Sequence, residues 1–125
     1  RGAELVARAA FLSGLPKVVT GPADDPEAAW RPRAVYHYIQ DYDRTPDVVV
    51  DITGHLDTKF KAILAFSSQF HDPNSEEPAT PISSPEFLDH VRGRATSFGR
   101  PAGFMHGEGF EVRRPVGTDS LLDLA

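Results

Sequence analysis

The sequence predicts an α/β fold in which these residues form part of a mostly parallel sheet flanked by helices. Asp47-Val-Val-Val-Asp-Ile52 contains three consecutive valines, and a continuous apolar run suits a strand buried on both faces of a helix-covered parallel sheet. Segments with apolar residues at helical spacing flank the strand segments. Two strands and three helices cannot close such a sheet alone, because each interior strand needs a neighbour on both sides, so further sheet is expected from elsewhere.

The elements follow in chain order. Leu5, Val6, Ala9, Ala10 and Leu12 have helical spacing and Gly14 and Pro16 stop the pattern, so a helix is expected from Gly2 to about Ser13. No Ser, Thr, Asp or Asn precedes Ala3 to cap it, and the helix reads as entered partway rather than started. Gly21 to Pro32 collects prolines and adjacent aspartates and reads as a surface loop. Ala34 to Ile39, rich in β-branched and aromatic residues, is the first expected strand, and Asp47 to Ile52 the second.

Thr53 is placed to cap a helix whose apolar stripe is Leu56, Phe60, Ile63 and Leu64, ending near Phe70. His71 to Ser83 reads as loop. Ser83 or Ser84 then opens a helix with Pro85 in its first turn and Glu86 placed for a capping box. That helix offers Phe87, Leu88, Val91, Ala95 and Phe98 to the core and stops at Gly99. Gly107 to Val112 is a candidate terminal strand and Leu121 to Leu124 a docking tail.

At 125 residues and 40% hydrophobic content the chain suits one folding unit. Its net charge of −5 argues against nucleic acid or an anionic membrane as partner. No apolar run approaches the roughly 20 residues that span a bilayer, and residues 1–12 lack a secretory-signal pattern, so a soluble chain is expected. The absence of cysteine excludes disulfides and thiolate zinc sites and leaves His, Asp and Glu as metal ligands.

None of the five histidines sits in a strong metal motif. His55 and Asp57 diverge around a helix start, and His71-Asp72 are adjacent in a loop; solvated or capping histidines are the simpler reading. His37 alternates with Tyr36 and Tyr38 and reads as a hydrogen-bonded core or sheet-end residue. His106 lies in Met105-His-Gly-Glu-Gly-Phe110, where the glycines permit either close ligand approach or a plain turn. Arg31, between Trp30 and Pro32, could be fixed by an aromatic face while its fork meets a carboxylate or carbonyl oxygen, or could be a solvated loop residue. No Gly-x-Ser-x-Gly elbow, P-loop or dinucleotide fingerprint is present.

Nearly the whole chain carries an ordered series: Ala10-Phe-Leu-Ser-Gly-Leu15, Arg31-Pro-Arg-Ala-Val-Tyr-His-Tyr-Ile39, Pro46-Asp-Val-Val-Val-Asp-Ile-Thr53, Lys59, Ala65-Phe-Ser-Ser-Gln-Phe70, Arg94, Phe98-Gly99 and Gly107-Glu-Gly-Phe110. In this order the series resembles the second half of the LmbE-like (PIG-L) zinc-dependent N-deacetylases. The most similar branch is that of bacillithiol biosynthesis, which removes acetyl from N-acetylglucosaminyl malate.

The resemblance implies a Rossmann-like fold, with residues 1–125 as the carboxy-terminal half of a single domain whose amino-terminal half is absent. It implies zinc held by a His and an Asp of a His-Pro-Asp-Asp motif and by a His of a His-Pro-Asp-His motif. An Asp of the first motif would be the general base. Neither motif is in this chain, and the second would fall just before the helix entered at Gly2. Arg31 matches a family arginine that holds the substrate or steadies the tetrahedral oxyanion. A family tyrosine with a related role falls on Phe87, which has no hydroxyl, and His106 stands where relatives often carry Tyr. Phe87 and His106 are therefore the candidate substrate-binding residues, and His106 a candidate to replace the missing hydroxyl.

The implied activity is removal of acetyl from an N-acetylated amino sugar by a cytoplasmic, homo-oligomeric hydrolase. These 125 residues alone are expected to show neither activity nor stoichiometric zinc. A non-catalytic α/β binding or assembly module is the alternative, and a separate chain supplying the metal-binding half is a third.

Overall fold

The computed structural model describes residues 1–70, 78 and 80–124 of the chain. Its elements are α1 (Gly2–Leu12), β1 (Tyr36–Tyr38), β2 (Val48–Asp51), α2 (Leu56–Leu64), α3 (Pro85–Gly99) and β3 (Gly107–Val112). Short 3-10 turns cover Thr53–His55, Arg100–Ala102 and Leu121–Leu124. The chain divides into two compact units, one of residues 1–37 and 111–125 and the other of residues 38–110, so the division falls within β1 and β3.

The strands form one sheet in the order β1-β3-β2. β2 runs antiparallel to β3, with Val48 opposite Phe110 and Asp51 opposite Gly107. This corrects the expectation of a mostly parallel, Rossmann-like sheet: the described residues form a small sheet of three strands whose β2–β3 pairing is antiparallel. The valine run misled because a strand of four residues carries no direction. Direction is set by the partner, and β3 returns against β2 after α3. Nor is the run covered on both faces, since Val50 is 48% exposed.

In the second unit the core is Ile52, Leu56 and Ala95 with Phe60 packed against them. Val91 and Ile39 are also buried. The stripe Leu88, Val91, Ala95 and Phe98 turns toward this core because residues three and four apart share a helix face. α3 starts where expected: the Ser84 side chain accepts from the Phe87 amide, with Pro85 next. With Ser84 as cap, Glu86 is the second helical residue rather than the third that a capping box requires. The helix ends at Gly99, whose added Cβ would lie 2.8 Å from Gly107 N and from His106 C. A side chain at Gly99 or Gly107 would push helix and strand apart. This close approach explains why a strand with two glycines is the central one.

Thr53 does not cap α2. It opens a 3-10 turn, α2 has no side-chain cap, and the Thr53 hydroxyl instead accepts from the His106 amide at 3.2 Å. The helix stops at Leu64, and residues 65–70 continue as turns.

In the first unit α1 buries none of its residues, and Leu5, Val6 and Phe11 are exposed. Leu121, Leu122 and Leu124 are likewise exposed rather than docked. The His71-Asp72 pair and most of the loop expected from His71 to Ser83 lie outside the described residues. Among the described residues no helix is long and apolar enough to cross a membrane.

Candidate functional site

Arg31 is fixed in the first unit by the end of α1. Ser13 follows the helix, and its carbonyl accepts from the Trp30 amide at 2.8 Å, which draws residues 30–33 alongside. Gly14 has no side chain, and a Cβ there would collide with the Arg31 side chain. Across that gap Arg31 Nη2 donates to the Phe11 carbonyl at 3.2 Å, and its Cζ lies 5.1 Å from the centre of the Phe11 ring. The carbonyl belongs to the last turn of α1 and also accepts from the Gly14 amide at 3.3 Å, and the negative helix end favours a cation there. An aromatic face therefore does hold Arg31, but it is Phe11; Trp30 is 69% exposed.

Arg31 lies on the rim of a cleft of about 270 Å³. Ala7, Ala10 and Phe11 form one wall, residues 31–35 and His37 a second, and Arg113 and Arg114 a third. Arg31 and Arg33 both line it. His37 is not the satisfied histidine expected from the sequence, because its Nε2 is buried without a protein hydrogen-bond partner.

Phe87 and His106 belong to the second unit and stand apart from each other. Phe87, in the first turn of α3, stacks on Phe70 with ring centres 5.7 Å apart and planes 22° from parallel. His106 adjoins Gly99 at the other end of the same helix. Twelve residues separate Phe87 from Gly99, about 18 Å at helical rise. A group at His106 therefore does not occupy the position a hydroxyl at Phe87 would. His106 is held by its backbone, which donates to Thr53 and accepts from Ile52, while its Nδ1 is buried without a partner.

Gly107-Glu-Gly109 is a strand rather than a ligand loop. Gly109 makes room for the Phe98 ring, and Glu108 receives Lys59 Nζ at 2.6 Å. Arg94, with a buried and unpartnered Nη1, lines the same small cavity as Lys59 and Glu108. Nearby, the Thr53 hydroxyl and then its amide, at 2.9 Å, hold the Asp51 carboxyl below its usual value of 3.8, with smaller help from the His55 and His106 charges.

Sequence reasoning missed Arg33, Arg113 and Arg114 as cleft residues and Asp51 as a held carboxylate. The Arg31/Arg33 spacing and the adjacent Arg113-Arg114 pair after a strand were the available signals. Among the described residues no group of three or more His, Asp or Glu is placed to hold a metal ion.

No family model matches the chain. Its fold is similar to that of a solved structure, the conserved protein TT1542 from Thermus thermophilus, with a TM-score of 0.73 at 22% identity. The match covers 93% of this chain and 45% of that one, so the chain spans less than half the length of the protein it resembles.

Proposed function

We propose that this chain is the Arg31-bearing part of an LmbE-like, zinc-dependent N-deacetylase that acts on an N-acetylglucosaminyl substrate, N-acetylglucosaminyl malate of bacillithiol synthesis in particular. The observation that carries the reading is the anchoring of Arg31 on the Phe11 carbonyl and ring at the rim of a cleft. A guanidinium has five N–H donors and stays charged. One nitrogen engaged by Phe11 leaves the others for a substrate oxygen, and an orientation fixed in advance suits a charge that develops only in the transition state. A match over only part of a longer protein also fits a chain that supplies some of a site.

Zinc in such a hydrolase would lower the pKa of a bound water for attack on the acetamide carbonyl. The described residues offer no ligand set for it, and the reading assigns those ligands to another segment, so the chemistry assigned here is confined to Arg31. The enzyme is proposed to be cytoplasmic and homo-oligomeric. The assembly-module reading is favoured by one feature, the exposed apolar residues of α1 and of the Leu121–Leu124 turn.

The test is acetate release from N-acetylglucosaminyl malate by the zinc-loaded full-length protein. Turnover that stops on chelation and returns with zinc supports the reading. Absence of turnover on this and other N-acetylglucosaminides, with zinc bound, overturns it in favour of the module.

A further inference from the structure

The cleft of the first unit gathers more positive charge than one oxyanion requires. Arg33, Arg113 and Arg114 line it beside Arg31, and among the described residues no carboxylate does. Guanidinium groups stay protonated across the ordinary pH range, so four positively charged residues line one cleft in a chain of net charge −5. A concave surface lined by one sign of charge focuses potential on what enters, which favours a multiply charged anion.

Two further observations point the same way. Among the described residues the side chains of Arg33, Arg113 and Arg114 have no ion-pair or hydrogen-bond partner. His37 Nε2 is buried in the lining without a partner, a costly arrangement that an anionic oxygen would satisfy when that nitrogen carries the proton. The opposite wall, formed by α1, is apolar, as in sites that bury the body of a small molecule while a few polar groups orient it.

We propose that this cleft binds a small molecule bearing a multiply charged oxyanion, a phosphoryl or a polycarboxylate group, through Arg33, Arg113 and Arg114. The binding requires neither zinc nor amide hydrolysis and holds whether or not Arg31 is catalytic.

The experiment is calorimetric titration of the full-length protein at low ionic strength with pyrophosphate and with tricarballylate, and with acetate as the singly charged control. At least one multiply charged probe is expected to bind saturably, at least tenfold more tightly than acetate and more weakly as salt rises. The Arg113→Gln/Arg114→Gln double variant is expected to lose about tenfold or more in affinity, in keeping with loss of charge-assisted hydrogen bonds. Arg92→Gln, whose guanidinium lies over Phe60 in the other unit, is expected to bind as the wild type does. Circular dichroism checks folding, and Arg33→Gln gives the same readout should the double variant fail to fold. Preference for pyrophosphate identifies a phosphoryl ligand, and preference for tricarballylate a carboxylate one. No saturable binding of either probe, or binding unchanged in the cleft variants, overturns the proposal.

Discussion

Lys59 Nζ lies 2.6 Å from a carboxylate oxygen of Glu108, joining α2 to the central strand of the sheet. Both side chains are about one third exposed, so the pair falls between surface bridges, which contribute little, and buried ones, whose disruption is costly. Removing Glu108 leaves two cations, Lys59 and the unpartnered Arg94 nitrogen, facing one small cavity. Glu108→Gln is therefore expected to destabilise by about 1–2 kcal/mol, and Lys59→Met by less. Urea denaturation of the two variants checks the order, and a larger loss for Lys59→Met would contradict it.

The crossing of α3 over β3 gives a contrast between glycines. A Cβ at Gly107 would meet Val49 and Gly99, so Gly107→Ala is expected to cost about 1–3 kcal/mol through overpacking. Gly93, mid-helix and exposed, has nothing within 4 Å of its Cβ position. Gly93→Ala should stabilise by about 0.5–1 kcal/mol through helix propensity. Thermal denaturation reads both signs.

Asp51 supplies a pH dependence. Its folded carboxyl is held below 3.8 by the Thr53 hydrogen bonds, so its contribution is complete above the unfolded value and is lost as pH falls through the folded one. The wild type is expected to lose more stability than Asp51→Asn as the solution is acidified below about pH 4, the two behaving alike from pH 5 to 7. Denaturation midpoints across that range check it; parallel curves at all pH values would show that Asp51 is not held.

How far the sequence spoke differs from residue to residue. α3 was legible from end to end, because Ser84, Pro85, the apolar stripe and Gly99 are all local signals. β3 was legible as a strand but not as the central one, since glycine disfavours strands in isolation and only the contact with Gly99 explains Gly107. Strand direction was misread because it depends on pairing between residues about sixty apart, such as Val48 and Phe110. Thr53 looked like a cap, yet its hydroxyl is engaged by His106, 53 residues away. At the candidate site Arg31 was legible, but its aromatic support was sought next door at Trp30 rather than at Phe11, 20 residues back. Phe87 and His106 were joined on chemical grounds, whereas α3 holds them near its opposite ends.

The most direct test of Arg31 as an oxyanion-stabilising residue is steady-state kinetics of the zinc-loaded full-length protein carrying Arg31→Gln, with folding checked by circular dichroism. Interactions made only in the transition state lower kcat and leave substrate affinity largely intact. Expected is a fall in kcat of about 10²–10³ with little change in KM. An unchanged kcat, or a loss confined to KM, would contradict the role assigned to Arg31.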